Sequence, residues 1–297
     1  MKPRDLCAGM IVIVIWGLSF VVTKTALAVV PPLFLCFLRF GLTALPLSLL
    51  IRPRGLSWMK IIPYGIAMFT LQFALLFVGL RLGVAAGLAA IAMQSQVFIT
   101  IALAAVLLGE RIQRHQLIGA LIGFGGIVVI ALHPGQDISP WGLPCILLAA
   151  LCWSWANVFA KRCGEIDRLG LVAWGALFAA PPLLALSLLI EGPGKITAAV
   201  RQLDLVSIMA VFYLAYPATL LAYAIWNQLL TRYPAGTVAP LTLLTPVVGL
   251  TASVKLLNER ISGWELEGAA MVIVGLTLNV AGDWVSDRNP PPATTPR

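Results

Sequence analysis

Acid is scarce in this chain: 12 Asp and Glu stand against 20 Lys and Arg in 297 residues. None of the twelve sits at the centre of an apolar run, and Glu267 and Asp283, near run ends, come nearest. That excludes an obvious mid-membrane carboxylate of the kind that binds cations or relays protons. Histidine is scarcer still, with His115 and His133 alone, both at the ends of apolar runs. A membrane-embedded enzyme needs a nucleophile with a base, or a metal cluster, at depth, and neither G-x-S-G nor H-E-x-x-H occurs. The five cysteines form no C-x-x-C pair and read as small hydrophobes. Gly123-Phe124-Gly125-Gly126 lacks the last glycine of a dinucleotide loop and lies inside an apolar run. No metal, cofactor or enzymatic activity is therefore expected. The formal charge of +8 is spread singly through the loops, without the dense patch that nucleic acid requires.

What is abundant is apolar surface: 60% hydrophobic residues, 11% charged and a mean hydropathy of +0.95. A soluble domain of that composition could not cover itself with polar groups, so the chain reads as an integral membrane protein. At roughly 20 residues per crossing there is room for about ten helices. The expected spans are 6–27, 32–51, 61–80, 84–108, 116–133, 140–160, 169–190, 205–228, 235–256 and 264–284. Pro31-Pro32, Arg52-Pro53-Arg54-Gly55, His133-Pro134-Gly135, Glu191-Gly192-Pro193-Gly194 and Tyr233-Pro234 punctuate them. The first run follows Lys2 and Arg4 as a signal peptide would, but another span comes almost at once, so it is read as a retained helix. Most Lys and Arg residues then fall on the side of the N-terminus, which predicts both termini in the cytoplasm.

The second feature is an internal echo. Gly83–Arg111 returns as Pro234–Arg260, with Gly87 on Gly236 and Glu110-Arg111 on Glu259-Arg260, each 149 positions apart. Trp16 with Lys24, and Trp153 with Lys161, open the two halves at a shift of 137, so 12 extra residues lie between the anchors. A match at half the chain length predicts two packed repeats, 1–134 and 135–288, with 289–297 a disordered tail. Five helices per repeat is odd, so the second repeat enters the membrane from the opposite side. The expected fold is all-α, ten transmembrane helices in two inverted five-helix repeats, a symmetry natural to a carrier.

These residues resemble the drug/metabolite transporter superfamily and, within it, the EamA family of exporters. The marks are Trp16-Gly17-Leu18-Ser19-Phe20, Pro31-Pro32 leading to Leu38-Arg39-Phe40, Ala86-Gly87-Leu88-Ala89, Gln94-Ser95-Gln96, Gly109-Glu110-Arg111, Val238-Ala239-Pro240-Leu241, Pro246-Val247-Val248-Gly249 and Glu259-Arg260. The pattern is most similar to exporters of cysteine and O-acetylserine, and next to exporters of aromatic amino acids. The resemblance implies ten helices in inverted repeats and metabolite efflux across a bacterial inner membrane.

A carrier site should lie near midplane between the repeats, on inward helix faces. Trp16, Ser19, Phe20 and Thr23 share one face of the first helix; Trp153, Ala156, Asn157 and Ala160 share the matching face of the sixth. Interfacial anchoring is the other reading of the two tryptophans. Gln72, on a face with Tyr64 and Met68, and Gln94 and Gln96 are amides at depth that either bond another helix or line a wet cavity. Tyr216, Thr219, Tyr223 and Trp226 or Asn227 form a polar-aromatic face on the eighth helix. Arg39, two turns inside the second helix, suits a substrate carboxylate or a snorkelling position. In the ninth helix Pro240 and Pro246 remove two donors and free carbonyls for water, Thr242, Thr245 or a ligand; the fourth helix, with Ile91 and Val97 there, should differ. Gly87 and Gly236 fit either close packing or a hinge.

The leading expectation is an exporter of amino acids or related small metabolites by alternating access, with a neutral, aromatic pocket. Its partners are a small-molecule substrate and membrane lipid, with no nucleic acid. The alternatives are the same fold with a drug, sugar phosphate or nucleotide sugar as cargo, and a membrane-embedded enzyme.

Overall fold

The structure is a computed structural model that describes residues 1–50, 57–109, 112–133, 139–163, 167–232, 241–242 and 244–288. Among them there is no strand. The helices are α1 (Pro3–Ala26), α2 (Pro32–Leu50), α3 (Trp58–Arg81), α4 (Ala86–Leu108), α5 (Arg114–Leu132), α6 (Gly142–Arg162), α7 (168–191), α8 (Pro193–Gln202), α9 (205–232), α10 (Leu244–Leu257) and α11 (Gly263–Arg288). Seven are long and apolar enough to cross a membrane: α1, α3, α4, α5, α6, α7 and α9. The segments Pro32–Leu45 and Leu244–Leu257 are shorter apolar helices. Large apolar side chains such as Ile11, Val106, Leu121, Leu189 and Met209 are exposed around the bundle, as hydrocarbon solvent permits and water does not.

Each expected span overlaps helical residues, the second and ninth with shorter apolar helices, and α8 lies outside all of them. Gly192 turns the chain at φ +83, and Pro193 then begins a new helix, where its missing N–H is harmless. The second half carries its extra residues at this helix. The fourth and ninth spans correspond closely: Ser95–Leu108 and Leu244–Leu257 are each 14 residues long. Each is followed by a left-handed residue, Gly109 at φ +71 and Asn258 at φ +53. π turns at Ile66–Leu71 in α3 and Tyr216–Leu221 in α9 also match; the first begins three residues after Pro63, and the second contains Pro217 as its second residue. Gly236, Pro240, Glu110-Arg111 and the tail 289–297 lie outside the described residues.

Packing pairs come in matching couples: α1 with α10 and α6 with α4; α3 with α6 and α9 with α1; α3 with α7 and α9 with α2. The pairs α2–α7, α5–α11 and α4–α10 are their own counterparts. Without a hydrophobic driving force between helices in lipid, such contacts rest on close van der Waals approach. At the α5–α11 crossing a Cβ on Gly268 would stand 2.5 Å from the carbonyl oxygen of Gly126. Larger side chains fill the α2–α3 seam, where Phe40 lies 5.0 Å from Phe69 and from Phe73.

Contacts between helix ends sort them into two layers. In one, Arg81 Nη1 donates to Leu27 O at 2.8 Å, and Glu191 accepts from Leu33 N at 2.7 Å and Phe34 N at 3.0 Å. His133 stacks on Trp264 at 4.1 Å in the same layer. In the other, Arg232 Nη1 meets Asp5 Oδ1 at 3.0 Å and Lys60 Nζ donates to Cys163 O at 3.4 Å. The start of α1 and the end of α9 share this second layer.

Candidate binding cavity

A cavity of about 880 Å³ runs through the bundle, walled by α1, α2, α3, α4, α6, α7 and α9 and by the starts of α5 and α10. It takes in Trp16, Ser19, Phe20 and Thr23 from α1 and Trp153, Asn157 and Ala160 from α6. Arg39, Gln72, Gln94, Gln96, Tyr223, Thr242 and Thr245 also face it. Tyr216 does not: it lies in an outer groove between α1 and α9, beside Phe212 at 5.3 Å. The π turn that starts at Tyr216 spreads an extra residue over the turn, which rotates it off the face carrying Tyr223. The same device in α3 brings both Gln72 and Phe73, and both Leu76 and Phe77, onto the wall. Phe73, Thr100, Gln113 and Gln116 carry no sequence signal of a site, and Lys161, marked in the sequence as a repeat anchor, joins them on the wall.

The π turn in α9 also orders the aromatic wall. Pro217 has no N–H, and carbonyls in and just before this turn accept from side chains. Trp16 Nε1 donates to Ala218 O at 3.1 Å, Thr219 Oγ1 to Leu214 O at 2.9 Å, and Thr43 Oγ1 lies 3.0 Å from Ala215 O. Trp16 is thereby fixed beside Tyr223 at 5.6 Å and Trp226 at 5.3 Å. Trp16 thus lines the cavity, held by a partly buried bond.

The fourth span is interrupted at the cavity. Without any proline, α4 breaks at Met93-Gln94; the matching stretch of the ninth span, with Pro240, lies partly outside the described residues. There Gln94 N bonds Ile91 O at 2.9 Å and Val97 N bonds Gln94 O at 3.0 Å, three residues back instead of four. Pro246 lies in the first turn of α10, where it needs no donor, rather than kinking a helix interior. The carbonyl four residues before it, Thr242 O, accepts instead from Gln94 Nε2 at 3.2 Å. Gln96 Oε1 accepts from Asn157 Nδ2 at 3.4 Å. Gly87 packs: a Cβ there would lie 2.5 Å from Ser253 Oγ and 3.0 Å from Leu250 Cα.

No Asp or Glu lines the cavity among the described residues, while Arg39 and Lys161 do. The pocket is therefore aromatic, as expected, but cationic rather than neutral. It ends near Thr23. Just beyond, Lys24 Nζ meets Glu259 Oε1 at 2.6 Å and Val84 O at 3.2 Å, and Ala86 N donates to both Glu259 oxygens at 3.1 and 3.0 Å. One carboxylate thus neutralises a lysine and caps the start of α4. At the opposite end the wall reaches Ile112, Gln113, Gln116 and Lys161, and Ile112 is 46% exposed.

Comparison with known proteins agrees with this architecture. The pattern of the EamA-like transporter family matches residues 4–132 and 140–281. A probable amino-acid metabolite efflux pump of Salmonella typhimurium is 40% identical over 288 residues, covering 95% of this chain and 96% of that protein. A probable amino-acid metabolite efflux pump of Escherichia coli is 36% identical over 288 residues, with the same coverage. A crystal structure superposes with a TM-score of 0.66 over 98% of this chain and 100% of the other, at 20% identity, which shows the shared fold. The chain belongs to the EamA-like transporter family and is a multi-pass membrane transporter.

Proposed function

We propose that this transporter exports amino acids or related small metabolites across a bacterial inner membrane by alternating access. The observation that carries the reading is a central cavity closed at one layer of the bundle by Lys24, Glu259 and the start of α4, and reaching the surface at the other. The near full-length relatives named as amino-acid metabolite efflux pumps favour amino-acid cargo.

The scaffold in this reading is ten membrane-spanning helices in two inverted repeats, 1–134 and 135–288. The matched packing couples, the paired π turns and the twofold family match support it. Alternating access then exchanges the conformations of the halves around a fixed site. Lys2, Arg4, Lys60, Arg114, Lys161, Arg162 and Arg232 fall in the layer of the open mouth, which favours a cytoplasmic mouth and cytoplasmic termini. The residues proposed to contact cargo are Trp16, Ser19, Phe20, Arg39, Gln72, Gln94, Gln96, Trp153, Asn157, Tyr223, Thr242 and Thr245.

The test is purified protein in liposomes, with each labelled amino acid offered in turn and the trapped label counted. Movement of one or more amino acids is the expected result. Sealed vesicles that move none, while a drug or sugar phosphate is carried, would replace the cargo and leave the fold intact.

A further inference from the structure

Resting on the export reading, a narrower statement about cargo follows from two buried polar side chains of the wall, Arg39 and Gln72. Arg39 is only 4% exposed, deep in α2. Its Nε donates to Thr219 Oγ1 at 3.1 Å, and the Phe73 ring lies 4.2 Å beneath the guanidinium carbon. Thr219 Oγ1 spends its own proton on Leu214 O, so a lone pair is left for Arg39. Among the described residues no carboxylate pairs with Arg39, and its hydrogen bond to another side chain is made through Nε, away from its two terminal NH2 groups. A planar fork held at Nε and stacked on an aromatic face is preorganised for two parallel bonds to a carboxylate. Leaving a guanidinium in such a place without an anion is costly, and a cargo carboxylate supplies that anion.

Gln72, beside Phe73 on α3, is 1% exposed, and its Oε1 has no partner. It can accept one N–H or O–H from whatever sits next to the carboxylate. That is a neutral acceptor, indifferent to whether the donor is an ammonium, a hydroxyl or an amide N–H. Since no Asp or Glu lines the cavity among the described residues, a positive charge on cargo finds no counter-charge there. Trp16, Tyr223 and Trp226 receive the remaining apolar part.

We infer that the cavity selects its cargo by the carboxylate, with Arg39 as its anchor and Gln72 as acceptor for a donor on the adjacent carbon. The amino group is read as a hydrogen-bond donor, not as a charge. The class carried is therefore 2-substituted monocarboxylates: amino acids, their 2-hydroxy counterparts and their N-acyl derivatives. Amino-acid amides and decarboxylated amines are excluded.

The experiment takes whichever labelled amino acid the liposomes move and competes it with the unlabelled acid, its 2-hydroxy acid, its N-acetyl derivative, its amide and its decarboxylated amine. The three carboxylates are expected to compete within about tenfold of one another, and the amide and amine about 10- to 100-fold more weakly, the size of a charged hydrogen bond. Arg39→Lys keeps the charge but loses the fork, and should weaken the three carboxylates by about tenfold or more while leaving amide and amine unchanged. Gln72→Leu should weaken them about fivefold. An amide that competes as well as its acid overturns the inference even though export stands. If no amino acid moves, the export reading falls, and thermal melting of the detergent-purified protein decides this one. Monocarboxylates should raise the Tm of the wild type above that seen with their amides and fail to do so in Arg39→Lys; equal shifts would overturn it.

Discussion

The two ends of the cavity are built from related parts and behave differently. At one, Lys24 is drawn into a pair with Glu259, and that carboxylate also holds the first N–H of α4. At the other, Lys161, which stands 137 positions after Lys24 and at the same distance from a tryptophan, lies on the cavity wall beside Gln113 and Gln116. The difference teaches that closure here takes few interactions. A single carboxylate bridging a side chain of one helix and the terminus of another joins α1, α4 and the end of α10. Within a low-dielectric bundle such a bridge is strong, and each of its bonds is of the charged class.

Breaking the bridge should have the largest effect. Glu259→Gln leaves Lys24, about 30% exposed, without its anion and weakens the cap on α4. Transport is expected to fall about tenfold or more. Thr23→Cys in an otherwise cysteine-free protein should become reactive to an impermeant thiol reagent added from the sealed side. Unchanged labelling would show that the bridge does not close this end.

Gly87→Ala attacks the same end by volume instead of charge. The new methyl meets Ser253 Oγ and the backbone of Leu250, so α4 must move off α10. A loss of about 1–3 kcal/mol is expected, read as a lower Tm in detergent. Ile112→Ala, at the open end, sharpens the contrast: exposed and outside the helices, it should change stability by about 0.5 kcal/mol or less.

The smallest effect belongs to Asp204, which caps α9 in the sealed layer by accepting from Ser207 N at 2.8 Å. The Ser207 side chain, followed by its backbone N–H, holds this exposed carboxyl below the usual range. A folded pKa below the unfolded one gives stability that is present above about pH 3.9 and lost as pH falls through the folded value. Asp204→Ala should thus melt slightly lower than the wild type near neutral pH, with the gap closing in acid. A gap that persists in acid would mean the carboxylate charge is not what caps the helix.

Much of the site was legible because helical periodicity survives where the backbone is regular. Trp16, Ser19, Phe20 and Thr23 were placed on one face by spacing alone, and all four line the cavity. Spacing failed where the helix changes pitch. Tyr216 was grouped with Tyr223 on a 3.6-residue period, and the intervening π turn separates them. Phe73 was passed over for the converse reason. The break at Met93-Gln94 carries no proline to announce it, and the Gln94 amide there bonds Thr242 O, 148 residues away.

The chain's composition by itself determined a membrane protein, and its long unbroken apolar runs determined helices, since the strands of a barrel alternate apolar and polar residues. Its internal echo located the matching segments, since the same residues at a fixed shift fold into the same pieces. Only the tertiary structure decided which end of the cavity is shut and which polar groups face it. Those depend on bonds between residues far apart in sequence, such as Lys24 with Glu259 and Arg39 with Thr219, and no local period encodes a meeting of distant helices.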